Sequence, residues 1–268
     1  MQFNRLNLNC VSVFRTGLIH HWLLNYLFLL VVGVFFLSGC THSSQHTSSL
    51  SQASSDKALS TEVLLLKEAI DQSDIAAIEN FLLRGGNVNV VDEQGVSLLY
   101  ASIYLDELDI FELLLSHKAD VNQADSNGWT PLMVAVYYNR ALMVNRLLAL
   151  GANPNAMNDT GRTALHFTVN GFRWEQDSEI LAKALIDAGA QINATNHIGN
   201  TALMGAVFTD KTKTFVYLMS LNADVNVINI RGHNALMLAI IKKRPEMFWV
   251  LLEAGAQVNL VDEWGCTP

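Results

Sequence analysis

Cysteine is nearly absent from this sequence: Cys10, Cys40 and Cys266 are the only three in 268 residues. Cys10 and Cys40 belong to the N-terminal segment described below, so Cys266 is left without a partner and no disulfide framework exists. Also missing are a G-x-S-x-G elbow, a phosphate-binding glycine loop, an H-E-x-x-H pair and any paired-cysteine motif. The sequence therefore predicts no enzyme and no cofactor. Basic residues are few, 17 against 25 acidic ones. That balance disfavours nucleic acid and broad adhesion to anionic lipid, both of which call for a positive surface. Acidic residues are in turn wholly missing before Asp56.

The acid-free start holds Arg5 and Arg15, followed by "WLLNYLFLLVVGVFFL", residues 22–37, interrupted only by Asn25 and Gly33. Spanning a bilayer takes about 20 apolar residues, so this run is short for a permanent anchor and normal for the core of a secretory signal. It ends in Leu37-Ser38-Gly39-Cys40, which resembles the lipobox of bacterial lipoproteins. The resemblance implies cleavage after Gly39 (signal peptide, residues 1–39) and a lipid on Cys40. An uncleaved anchor with a chance cysteine is the alternative, and both readings export the remainder. Thr41 stands where an aspartate would, by analogy with enterobacterial lipoproteins, retain the protein at the inner membrane. The expectation is thus a lipid-anchored envelope protein on the outer membrane, facing the periplasm. Cleavage leaves 15 basic and 25 acidic residues, a formal charge of −10.

Residues 41–55, "THSSQHTSSLSQASS", contain nine Ser or Thr and little that could enter a core. With Cys40 they read as a flexible tether over residues 40–58, reaching roughly 20–25 Å. His42 and His46 are four apart, but a solvated coil does not hold two imidazoles in metal-binding geometry.

From Leu59 the chain repeats. Gly95, Gly128, Gly161, Gly199, Gly232 and Gly265 are separated by 33, 33, 38, 33 and 33 residues, and Asn89, Asn122, Asn155, Asn193, Asn226 and Asn259 keep the same register. Two series sharing one insertion define six units, 59–91, 92–124, 125–157, 158–195, 196–228 and 229–261, with the opening of a seventh at 262–268. The match of Asp125–Ala135 ("DSNGWTPLMVA") and Gly151–Asn155 ("GANPN") to D-x-x-G-x-T-P-L-H-x-A and G-A-D-V-N resembles the ankyrin family. The fold class expected is all-α: an ankyrin-repeat solenoid of stacked helix-turn-helix units with β-turn fingers. The first unit lacks the turn sequence, as suits a cap, and "DEWGCTP" stops where the next helix is due.

Within a unit each letter has a physical task. In "NGWTPLM" Gly128 supplies the turn, Thr130 the N-cap hydroxyl, and Pro131 takes the first helical position, where a missing N–H costs nothing. Leu66, Leu99, Leu132, Leu165, Leu203 and Leu236 share one position on the first helices; Phe81, Leu114, Leu147, Leu185, Leu218 and Leu251 share one on the second. Both rows are expected in the core. Second helices stop at Gly85, Gly151, Gly189 and Gly255, with Asn222 in the fifth unit and Lys118 in the second, where a left-handed cap costs up to about 1 kcal/mol.

His166 sits in "TGRTALHF", a histidine beside a glycine turn. A catalytic base needs a nucleophile or metal nearby, and none is suggested. In the ankyrin pattern this histidine supports the turn network between repeats, so a structural role is expected. The run "KKRP", Lys242–Pro245, reads as a solvated cluster at a helix–helix turn.

The resemblance also implies which positions line the concave face. They include Tyr104, Trp129, Tyr137, Tyr138, Arg162, Arg231, His233 and Trp264. Tyr, Trp and Arg dominate binding hot spots, so these are candidate contacts to a partner protein. Any of these aromatics could instead pack between fingers; Phe208 is expected to do so, and only one of Tyr137 and Tyr138 to lean inward. The fourth unit gains five residues within "NGFRWEQDSE", and Phe172, Arg173 and Trp174 in that loop join the candidates. The partner expected is a periplasmic or secreted protein. Lipidated ankyrin proteins of this layout resemble, in architecture only, immunity proteins that neutralise phospholipase toxins delivered into the periplasm; the alternative is a scaffold for a periplasmic enzyme such as a catalase.

Overall fold

The computed structural model describes residues 61–169, 178–263, 265 and 267. The signal segment, Cys40, the tether, Phe172, Arg173, Trp174, Trp264 and Cys266 lie outside the described residues. What is described is a row of helix pairs: α1 (61–71) with α2 (Ile75–Leu83), α3 (Leu98–Leu105) with α4 (Leu108–Ser116), α5 (Pro131–Tyr137) with α6 (Ala141–Ala149), α7 (Ala164–Phe167) with α8 (Ser178–Asp187), α9 (Ala202–Thr209) with α10 (Thr212–Ser220), and α11 (Ala235–Ile241) with α12 (Pro245–Glu253). No sheet forms among the described residues; a single bridge joins Val91 to Ser97.

The first helices start where the sequence places a cap. Ser97, Thr130, Thr201 and Asn234 each accept a hydrogen bond through the side chain from the backbone N–H three residues on, occupying a donor that the helix leaves open. Along the row, α3 packs on α5, α5 on α7, α7 on α9 and α9 on α11, while α2 touches α4, α6 touches α8 and α8 touches α10. The result is two layers of helices.

One continuous core fills the space between them, from Val63 to Ala256. Among the described residues it runs without a break through all six units. Leu66, Leu99, Leu132, Leu165, Leu203 and Leu236 are buried, as are Leu114, Leu147, Leu185, Leu218 and Leu251. Phe81 departs from its row: it is only half-buried, because it belongs to the first unit, whose outer side has no neighbouring unit among the described residues.

Second helices end in the left-handed region as expected, at Gly85, Gly151, Gly189, Gly255, Asn222 and Lys118, the last with φ 62°. A second left-handed position was not foreseen. Ser73, Asp106, Asn139, Asp210 and Lys243, all at the corner between first and second helix, also have positive φ. Their signal in the sequence is a row of short polar residues at the repeat spacing, broken only by Lys243. No helix among the described residues is long and apolar enough to cross a membrane.

Candidate functional site

The fingers are built from their first residue. The Oδ1 of Asp125 accepts from the N–H groups of Asn127 (2.9 Å) and Trp129 (2.8 Å), and Asp92, Asn158, Asn196 and Asn229 do the same for their own fingers. A short side chain that hydrogen-bonds the backbone two residues ahead is what Asp and Asn supply in turns. Each finger then bonds the next: Ser126 N–H to the Gln94 carbonyl (2.9 Å), Asp159 to Asn127 (3.0 Å), His197 to Thr160 (3.1 Å), Ile230 to Ile198 (3.1 Å) and Glu263 to Arg231 (3.2 Å). At Gly128 φ is +75°, and a Cβ added there would stand 2.9 Å from the Asn158 Cα. Glycine is required at that point for its conformation and for the close approach of the next finger.

On this scaffold lies an aromatic strip. Tyr104 meets Tyr138 edge-on with centroids 5.2 Å apart, Tyr138 meets Tyr137 (5.1 Å), Tyr137 meets Trp129 (5.5 Å), and Trp129 lies on Phe167 (4.4 Å). These are the separations at which ring edges and faces attract. Tyr104 is 51% exposed and Tyr137 41%, while Trp129 and Tyr138 are half-buried and Phe167 is inside. Both Tyr137 and Tyr138 therefore join one cluster, against the expectation that only one leans inward. The helical rule fails because α5 ends at Tyr137 and Tyr138 is already its cap. Burial, reinforced by Tyr104, pushes the Tyr138 hydroxyl up to about 12, so it stays a neutral donor across the physiological range.

The other candidates are placed less uniformly. Arg162 is half-buried near His166, and Arg231, largely exposed, faces Glu263 at 3.8 Å. His233 is 4% exposed and points at the Asp262 carboxylate, with Nε2 3.5 Å from Oδ2. It sits inside rather than on the surface, because its position in the finger faces the first residue of the next finger, as Asn200 faces Asn229 (2.8 Å) one unit earlier. Phe208 is a correction in the other direction. It is 51% exposed and carries the Lys242 ammonium 3.6 Å above its ring, so it packs under a lysine rather than between fingers. Phe172, Arg173, Trp174 and Trp264 are outside the described residues.

His166 is 3% exposed. Its Nδ1 accepts from the Thr163 backbone N–H (3.1 Å) and faces Thr163 Oγ1 (3.0 Å), which fixes the proton on Nε2, and Nε2 then donates to the Asn200 carbonyl (3.0 Å). Nδ1 is committed to the cap of its own helix, and Nε2 to holding this repeat on the next. Burial pushes its pKa below the ordinary 6.5.

Sequence reasoning gave the Asn row a register but no task. Asn89, Asn122, Asn155, Asn193 and Asn226 each accept, through Oδ1, from a backbone N–H in the following unit, at 2.7–2.9 Å. Two shallow grooves lie away from the strip, about 520 Å³ around Leu66, Phe81 and Arg84 and about 430 Å³ around Leu108, Leu142 and Arg146. Among the described residues no group of His, Cys, Asp and Glu could hold a metal ion.

Fingers linked by backbone bonds, paired helices in two layers and an interlocking Asn row are the parts of a repeat scaffold. A search of curated proteins finds no match. The sequence profile described as ankyrin repeats (3 copies) matches residues 66–158, 139–229 and 165–262, overlapping spans that cover most of the chain, and the chain belongs to the ankyrin-repeat family, whose arrays are protein-interaction modules.

Proposed function

We propose that the chain is an exported lipoprotein, tethered through Cys40 on the periplasmic side of the outer membrane, that binds a periplasmic or secreted protein through the Tyr104–Tyr138–Tyr137–Trp129 strip. The observation that carries this reading is the strip itself: four rings in mutual contact on a rigid scaffold, two of them exposed. Such residues bury large area with little loss of side-chain freedom and keep a polar tip for hydrogen bonding. Arg162, half-buried near His166, and Arg231, exposed on a later finger, add charged contacts, and Phe172, Arg173, Trp174 and Trp264 remain candidates on sequence grounds.

The sharper form of this reading is an immunity protein that blocks a phospholipase toxin delivered into the periplasm. Its supports are the Leu37–Cys40 lipobox, the serine-rich spacer, and an array whose best enzyme-like residue, His166, is committed to the fold. Sequestration then acts without chemistry of its own. To test it, residues 41–268 are immobilised, exposed to periplasmic and secreted protein, and compared with a Tyr104, Trp129 and Tyr137 alanine bait. A lipase retained only by the native bait, and inhibited by it, supports the reading; retention of a catalase or another housekeeping enzyme makes the protein a scaffold instead. Identical retention by both baits removes the strip from the account.

A further inference from the structure

Phe208 shows how this fold treats an exposed ring. Its face carries the Lys242 ammonium at 3.6 Å, a cation supplied by the following unit. Asp71, Tyr104 and Tyr137 hold one position of the first, second and third units, each 33 residues from the next, and Phe208 holds it in the fifth. Lys242 stands one position further on in the sixth unit, where the third unit has Tyr138. Among the described residues no ammonium or guanidinium lies over Tyr104. Tyr138 meets it edge-on instead, and Tyr104 is 51% exposed.

Charge around the Tyr104 end favours a cation. Asp71, at the head of the row, is exposed and forms no ion pair among the described residues. Packed helices stand about 8–10 Å apart, so a side chain laid on the Tyr104 ring comes within reach of that carboxylate. Beside the strip lies Tyr100, whose hydroxyl is pushed well above its ordinary 10, by burial first and next by the Asp125 carboxylate. The cations in this part of the chain are already matched, Arg140 by Asp106 (2.5 Å) and Lys67 by Asp92 (2.5 Å). A ring face is itself electronegative and attracts a cation placed within about 6 Å of its centroid.

We propose that the Tyr104 end of the strip takes a lysine or arginine side chain of the partner protein, laid on the Tyr104 ring beside Asp71 as Lys242 is laid on Phe208. This rests on the reading of the strip as the partner-binding surface and names the chemistry of one contact in it. An apolar side chain would gain the same ring area but nothing from Asp71. The fifth and sixth units do not offer a second such place, because Lys242, Lys243 and Arg244 already stand there and repel a further cation. The partner's matching patch is therefore basic where it meets the second unit.

The probes are two acetylated, amidated pentapeptides, Gly-Gly-Lys-Gly-Gly and the same peptide with norleucine in place of lysine. The full chain is kept in a non-ionic detergent at low salt, its six tyrosines carry a carbon-13 ring label, and their resonances are followed during titration. The lysine peptide should shift Tyr104 with a dissociation constant on the order of 10 mM, and the norleucine peptide should bind roughly 5-fold more weakly. Asp71→Asn should weaken the lysine peptide roughly 2-fold and leave the norleucine peptide as it was. Tyr104→Leu, followed at Tyr137 and Tyr138 and checked for folding by circular dichroism, should abolish the preference for lysine. Equal affinity for the two peptides, or no shift with lysine, overturns the proposal. So does a lysine affinity that ignores Asp71→Asn or a preference that survives in Tyr104→Leu. Failure here leaves the strip able to hold a partner through apolar contact, whereas a lysine preference together with identical retention by the native and alanine baits would keep the cation site and remove the partner-binding reading.

Discussion

Asn122 holds the repeat that follows it. Its Oδ1 accepts from the Asn153 N–H at 2.7 Å while its Nδ2 donates to the Gly151 carbonyl at 3.2 Å, so one side chain ties two points of the next loop. Asn155 and Asn226 repeat the double contact, to Gln191 and Gly189 and to Gln257 and Gly255. Asn122→Ala should cost about 1–2 kcal/mol, one exposed pair of hydrogen bonds lost. Amide exchange should quicken first at Asn153, and a uniform change across the array would point to some other cause.

Lys118 occupies a left-handed position that four other units give to glycine. The glycine at those sites is needed for φ alone, since a Cβ on Gly151 or Gly255 would meet nothing within 4 Å. Lys118→Gly should therefore stabilise the protein by up to about 1 kcal/mol, raising the melting temperature by roughly 2–4 °C for an array of this size. A melting temperature that stays level or falls would show that the Lys118 side chain contributes something its exposed position does not suggest.

Gly128 and Gly151 separate two costs that the sequence cannot. Both have positive φ, but only at Gly128 does a Cβ collide with the next finger. Gly151→Ala should lose about 1 kcal/mol from backbone strain; Gly128→Ala should lose more, because the Asp159 to Asn127 backbone bond must also give way. Equal losses in urea titrations of the two variants would rule out the close approach as an energetic factor.

The His166 contribution depends on pH in a definite direction. Its folded pKa lies below the ordinary 6.5, so the unfolded chain binds the proton more readily. Stability from this site is complete above about pH 6.5 and declines as pH falls through that value towards the lower, folded pKa. His166→Gln should be less stable near pH 7.5 and should lose that part of the acid-side slope. A variant with the unchanged slope would assign the effect to another group.

What the sequence made legible was most of what repeats, the left-handed corners at Ser73, Asp106, Asn139 and Asp210 excepted. A glycine turn, a Ser, Thr or Asn cap and a leucine row recur at 33 residues, and each has a local cause that can be read without coordinates. What it hid depends on the neighbouring unit. The side chain of Asn122 looks like any loop asparagine until Asn153 is placed beside it. The position of His233 was assigned to the surface by register, yet the finger that follows brings Asp262 against it and buries both. Phe208 failed for the opposite reason: Lys242, in the next unit, offers its ring a cation and leaves it at the surface. Tyr137 and Tyr138 were separated by a helical rule that holds only while the helix continues.

The central claim is that the aromatic strip is the binding surface, and affinity for the captured partner tests it most directly. Tyr104→Ala and Tyr137→Ala, measured by calorimetry beside a control on the exposed face of α6, Leu142→Ala, should each weaken binding by roughly 30-fold, the effect of about 2 kcal/mol at a hot spot, while the control binds as the native chain does. If both tyrosine variants bind unchanged and Leu142→Ala does not, the partner sits on the layer of second helices and the account is contradicted.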